Sequence, residues 1–246
     1  TGVQKLLLNP ADGYSLGVSG DYYVVIGSPT AKWKLDDFVP VGIAINQSGA
    51  VFVAEGSRFK TWADVEKEAR AKPNTIKILI AGYGIIDEIH INYLISKGIK
   101  LVAVPFANPS ERYVSILGGH NDLLYEQAGD IKNYLSNKQM RPLLSFTDGR
   151  FPAYKDVPTA KELGYDVVTP QVRWVYMKAG TDPQRVKVIS DALTKLSKTP
   201  EYQAYLKDEY AAPDSFVPAS EARQYLQKML DQVRKEATSA GLKTKQ

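Results

Sequence analysis

The chain has 246 residues, 44% hydrophobic and 24% charged, with 18 Gly and 14 Pro. These globular proportions exclude a disordered, collagenous or coiled-coil chain, and the length suits one large domain or two small ones. The net charge is +4, with 31 Lys and Arg against 27 Asp and Glu, which favours capture of an anion.

The basic residues are scattered beside acids, as over 64–72 and 227–235, and no cluster of five occurs. Nucleic-acid binding is therefore not expected. No apolar run approaches 18 residues, so no membrane span is expected, and no basic start with a following apolar stretch marks a signal peptide. Cys is absent, which removes thiol catalysis, disulfides and zinc–thiolate sites. Two His are present, His90 and His120. His90 lies between Ile89 and Ile91 and reads as a helix-surface or packing residue, while His120 follows Gly118-Gly119 in a turn and reads as a solvated polar residue. There is no HExxH, no G-x-S-x-G and no P-loop sequence. Neither a catalytic residue, a metal site nor a cofactor is expected.

In chain order, residues 2–8 read as the tail of a helix, and Asp12-Gly13 as a turn into a strand over 14–18. Apolar runs over 22–26, 39–45 and 50–54 read as further strands. Thr61 before Trp62-Ala63-Asp64 has the pattern of a helix cap with a carboxylate at the third position. A buried strand over 76–81 enters Ala81-Gly82-Tyr83-Gly84, and a helix follows with Ile86, Ile89, Tyr93 and Leu94 on its inner face. A strand over 100–104 leads to Asn108-Pro109-Ser110-Glu111, an N-cap with Pro at the first helical position. The strand over 122–125 runs into Glu126-Gln127, and another covers 140–146. Thr159-Ala160-Lys161-Glu162 predicts a short helix stopped by Gly164, and residues 172–177 a strand. From 182 to 241 no strand is predicted. Thr199-Pro200-Glu201 opens a helix, and Val186, Ile189, Leu193 and Leu196 form one apolar stripe, with Leu226, Leu230 and Val233 forming another. The strand–helix alternation predicts an α/β fold with a mainly parallel sheet covered on both faces.

Ligands of open α/β sheets bind beyond the carboxyl ends of strands. Three such ends, at Ala81–Gly84, at Phe106-Ala107-Asn108 and at Tyr125-Glu126-Gln127, are expected to share one rim. A Gly-rich strand-to-helix loop leaves backbone N–H groups at a helix N-terminus, where an anion is favoured. The same loop also reads as a tight turn with no ligand. Arg173, beside Trp174, reads either as a bidentate partner for a ligand carboxylate or as half of a surface ion pair.

The segments PADGYSLGVSG, ILIAGYGIIDEIHINYL, VPFANPSERYVSILGGHNDLLYEQ and DVPTAKELGYDVVTPQVRWVYMKAGTDPQRV resemble, in order and spacing, the periplasmic substrate-binding receptors of tripartite tricarboxylate transporters, the Bug family. The resemblance implies a two-lobed periplasmic-binding-protein-like α/β fold with a ligand cleft between lobes and C-terminal helices. It implies lobe one over 1–54 and 173–246, and lobe two over 55–172, with hinges near Val53–Glu55 and Arg173–Val175. The implied function is capture of a small organic acid or amino-acid-like metabolite in the periplasm for membrane permease subunits. A solute-sensing module that signals to a sensor protein is the alternative, and an enzyme is not expected. The family's first strand and helix, with P-F-x-x-G-G-x-x-D, have no counterpart among these residues, so a central strand of lobe one and half of the anion grip are expected to be missing.

The candidate ligand-binding residues are Ser19, Gly20, Asp21, Ala81, Gly82, Tyr83, Gly84, Ile85, Asp87, Phe106, Ala107, Asn108, Tyr125, Glu126 and Arg173. The family's Ser/Thr run is replaced by Ile85-Ile86-Asp87-Glu88, and its VPYKG by VPFAN. Asp87 and Glu126, if both face the cleft, would favour a ligand with an ammonium or strong donor group. Glu126 also reads as a helix N-terminal carboxylate held by the dipole.

Overall fold

A computed structural model describes residues 2–20 and 22–244. In chain order the elements are α1 (Gly2–Leu8), β1 (Gly17–Ser19), α2 (Tyr22–Gly27), β2 (Phe38–Gln47), β3 (Gly49–Ala54), α3 (Trp62–Ala71), β4 (Ile76–Ile80), α4 (Ile86–Ser96), β5 (Leu101–Pro105), α5 (Pro109–Leu117), β6 (Leu123–Gln127), α6 (Lys132–Ser136), β7 (Met140–Ser145), β8 (Gln171–Lys178), α7 (Pro183–Leu196), α8 (Pro200–Asp208), β9 (Val217–Pro218) and α9 (Ala219–Ser239).

The described chain divides into two compact units. One holds the residues up to Gln47 with Gln171–Gln232, and the other holds Ser48–Pro170 with Val233–Thr244. The first carries a four-stranded sheet in the order β1-β8-β2-β9, with every pairing antiparallel. Its core includes Val41, Val175, Met177 and Val186, with a second cluster of Ile45, Tyr202 and Leu206. The stripe expected on α7 buries Val186 but leaves Leu196 50% exposed.

The second unit carries a five-stranded sheet in the order β5-β4-β6-β3-β7. β4 pairs in parallel with β5 and β6, and β3 pairs antiparallel with β6 and β7. The expected mainly parallel sheet is thus confined to β5-β4-β6, where helical crossovers α4 and α5 return the chain to the same end. Val51, Val53, Trp62, Ile78, Ile80, Leu94, Leu123, Leu144 and Phe146 belong to one buried cluster.

These boundaries differ from a division at 54/55 and 172/173. Residues 49–54 form the strand between β6 and β7, so they belong with the second unit. The end of α9 also joins it, because Glu236 accepts from the amides of Val168 and Thr169.

Residues 22–26 form a helix rather than the expected strand. Tyr23, Val24 and Ile26 are buried, a helical rather than alternating pattern, so packing overrides the β propensity of Tyr and Val. The Thr61 cap is reciprocal, with Thr61 Oγ1 accepting from Asp64 N–H and Asp64 accepting from Thr61 N–H. At 159–164 the same box forms, but it closes a turn ended by Gly164 at φ 81° rather than a helix. The short β9 pairs with β2 where no strand was expected.

Candidate ligand-binding rim of the second unit

β4, β5 and β6 run parallel, so their carboxyl ends come to one side of the sheet. Phe106 N–H donates to Ile80 O at 2.9 Å, which fixes the end of β5 to the end of β4. Arg112, on the first turns of α5, then ties the rim together. One of its terminal nitrogens donates to Phe106 O at 2.6 Å and the other to Glu126 Oε2 at 2.6 Å. Tyr113 Oη donates to the same carboxylate oxygen at 3.1 Å, and Gln127 N–H to Oε1 at 3.3 Å. Arg112 and Glu126 are both buried. Burial raises the Glu126 carboxyl above its ordinary range, opposed by the Arg112 charge and hydrogen bond. The Tyr113 phenol is raised by burial and then by the Glu126 charge.

The loop between β4 and α4 has a different character. Ala81 N–H donates to Asp87 Oδ2 at 2.8 Å, and Gly84 N–H to Glu88 Oε2 at 2.6 Å. Acids from the first turn of α4 therefore take two of the loop's donors, as first-turn acids do at a helix start. Among the described residues the amides of Gly82 and Tyr83 have no protein acceptor. A Cβ at either Gly82 or Gly84 would meet open space, and Tyr83 is exposed. Gly84 is constrained by its φ of 77° rather than by crowding. A Val at this position would therefore strain the turn rather than crowd the loop.

The structure distributes the expected residues unevenly. Gly82, Tyr83, Gly84, Phe106, Ala107 and Asn108 lie on loops at the strand ends, with Ala107 and Asn108 exposed and Phe106 half-buried. Ile85 is the N-cap position of α4 and gives no side-chain cap. Asn108 is the N-cap of α5, its Oδ1 accepting from Ser110 N–H at 3.0 Å. Glu111 accepts from Asn108 Nδ2 at 3.2 Å rather than from the cap amide. Tyr125 is buried, with its Oη 2.9 Å from His90 Nδ1, so it belongs to the core behind the rim. Glu126 is ion-paired and Asp87 holds the loop, so neither stands as the unmatched acid on which the ligand-ammonium expectation rested. The helix N-terminal alternative for Glu126 also lapses, because the residue lies within β6.

In the first unit, Ser19 ends β1 opposite Trp174, and Gly20 follows it. Asp21 lies outside the described residues. Arg173 is half-buried on β8 opposite Ile45, and Trp174 is fully buried, edge-on to Phe38 at 5.9 Å. Sequence reasoning missed Arg112 and Tyr113, and it placed Gln127 at the rim only as a polar group following the strand. Gln127 is buried, and its Nε2 has no acceptor among the described residues. A strand-end acid such as Glu126 signals a need for a cation, but only the crossover geometry selects Arg112.

No group of three or more His, Asp or Glu suited to a metal occurs among the described residues, and no helix there is long and apolar enough to cross a membrane. Residues 1–239 match the family described as Tripartite tricarboxylate transporter family receptor. A curated relative, the UPF0065 protein in the gbd 5'region of Cupriavidus necator, is 26% identical over 240 residues, covering 95% of this chain and 71% of the relative. Among solved structures, R. palustris Rpa4515 with adipate superposes with a TM-score of 0.87 at 19% identity, covering 97% of this chain and 82% of that one. MatC from Rhodopseudomonas palustris with bound malate gives 0.80 at 16% identity, covering 97% and 83%. These likenesses show the two-lobed periplasmic-binding-protein fold, and the match over nearly the whole sequence shows that the chain belongs to the tripartite tricarboxylate transporter receptor family, a family of solute-binding receptors rather than enzymes.

Proposed function

We propose that this protein captures a small dicarboxylate in the periplasm and presents it to the permease subunits of a tripartite tricarboxylate-type transporter, with the two compact units serving as its two lobes. The observation that carries this reading is the pair of uncommitted amides at Gly82 and Tyr83, on an open loop at the N-terminus of the 11-residue α4. Two adjacent N–H donors and the positive end of a helix favour a carboxylate. Adipate and malate, bound by two structural relatives, are small dicarboxylates. With Asp87 and Glu126 engaged inside the protein, no ligand ammonium is needed to neutralise them. Plain dicarboxylates are therefore favoured over amino-acid-like ligands.

A thermal-shift panel of adipate, malate and amino acids of matched length tests the reading. Dicarboxylates are expected to raise the unfolding midpoint, as any ligand selective for the folded state does. A rise with amino acids alone, or with no member of the panel, would contradict it.

A further inference from the structure

The chain passes between its two compact units at 47/48, 170/171 and 232/233. Within the second unit, residues next to all three crossings are linked, through Tyr125, Phe146 and Glu236, to one buried side chain, His90 on α4, which is fully inaccessible to solvent.

Beside the first crossing, Gly49 leaves room for the Tyr125 ring, whose Oη would lie 2.1 Å from a Cβ at that position. Phe146 N–H donates to Gly49 O at 3.0 Å. Both rings pack on His90, Phe146 stacked with centroids 4.4 Å apart and Tyr125 edge-on at 5.7 Å. Beside the second crossing, the amides of Val168 and Thr169 donate to Glu236 Oε1 at 3.0 and 3.2 Å. Beside the third, Glu236 itself stands on α9, with its Oε2 3.7 Å from His90 Nε2, an approach longer than a hydrogen bond that leaves both atoms without a closer hydrogen-bond partner among the described residues. The ring thus has Tyr125 hydrogen-bonded at one nitrogen and the Glu236 carboxylate facing the other.

We propose that His90 is a positioning residue that holds the three crossing segments to one another and to α4, as a neutral imidazole protonated on Nε2. In this tautomer Tyr125 Oη donates to Nδ1 across their 2.9 Å contact, and the imidazole proton lies on the side of Glu236. Burial lowers the His90 pKa to about 3, so the ring stays uncharged at ordinary pH. The hub stands apart from ligand identity. Its consequence for binding rests on the reading of the Gly82–Tyr83 loop, because α4 carries both that loop and His90. Displacement of any one crossing segment would then reach the loop through a single helix.

Hydrogen exchange on the unliganded protein, read by mass spectrometry, tests the hub without any ligand. In His90→Phe, which keeps a ring but removes both polar contacts, peptides covering 47–52, 166–171 and 233–238 are expected to exchange about tenfold faster, all three together. Ile91→Ala, a buried change one position along the same helix, should not move the three as a set. Tyr125→Phe and Glu236→Gln, each removing one contact, should shift the same three segments by a smaller factor, and they carry the test if His90→Phe does not fold. Nitrogen NMR should show His90 protonated on Nε2. Faster exchange in only one segment, the same triple pattern in Ile91→Ala, or an Nδ1-protonated ring would each overturn the proposal. If the hub holds but dicarboxylates do not bind, the failure lies with the reading of the loop.

Discussion

The rim of β4, β5 and β6 and the strand β1 handle their side chains in opposite ways. At the rim, the buried charges answer one another, Arg112 with Glu126 and Phe106 O, and Tyr113 with the same carboxylate, while Gln127 Nε2 is left without an acceptor among the described residues. Along the run into β1, large apolar side chains are exposed instead. Tyr14, Leu16 and Val18 are 81%, 45% and 66% exposed, while Ser15, Gly17 and Ser19 are turned inward. The reason is local. The Tyr176 ring fills the space over Gly17, where a Cβ would come within 2.3 Å of it, so only the small-residue face of the strand fits against β8. Hydrophobicity alone does not choose which face of a strand is buried; the volume of the neighbour across the ladder also decides.

Four changes bear on this contrast. Arg112→Ala should be the most damaging, because it strands the Glu126 carboxylate in a buried site. A loss of about 3–5 kcal/mol in denaturant unfolding is expected at neutral pH. The deficit should shrink as the pH falls, since the unpaired carboxyl then takes up a proton. A loss below about 1 kcal/mol would mean that the rim is no better matched than a surface pair.

Acid comes next. The folded pKa of His90 lies near 3, below its unfolded value of about 6.5. Its contribution is therefore fully present above pH 6.5 and is lost as the pH falls through the window down to about 3. Within that window the unfolded chain binds the extra proton, so stability should fall by about 1.4 kcal/mol per pH unit from this group. Glu126, raised by burial, acts in the opposite direction. Urea midpoints across that range for the wild type and His90→Phe should isolate the His90 slope, which the variant should lack.

Asn108→Ala removes the acceptor for Ser110 N–H and should cost about 1 kcal/mol, read as a shift in the urea midpoint with the slope unchanged. Val18→Thr, on the outward face of β1, should change stability by less than about 0.5 kcal/mol. A larger loss would show that this face is covered in solution.

Much of the fold was legible in the sequence because it was written locally. The caps at Thr61, Asn108 and Thr199 each accept the amide bonds that their residue types suggest. The strand expected over 76–81 is apolar except for the exposed Lys77 near its start, and it forms over Ile76–Ile80 with Ile78, Leu79 and Ile80 buried, as in a central parallel strand. What escaped depended on distant partners. The Tyr22–Gly27 helix contradicts its own propensity, and its terminal Gly27 lies against Leu230, some 200 residues further along. Glu126 read as available because its partner, Arg112, lies on another element and meets it only through the parallel crossover. The Gly-rich loop was legible as a donor site, but the withdrawal of the Ala81 and Gly84 amides by Asp87 and Glu88 was not.

The central claim is that the remaining amides of this loop recognise a carboxylate, and Gly84→Val tests it most directly. The residue sits in open space at φ 77°, so the substitution strains the turn without filling a cavity. Isothermal titration of adipate and malate into wild type and variant, with far-UV circular dichroism to verify that both are folded, gives the answer. The account predicts that a dicarboxylate binds the wild type and that the variant loses at least about tenfold in affinity, or about 1.4 kcal/mol. Equal affinity in the two folded proteins would contradict it.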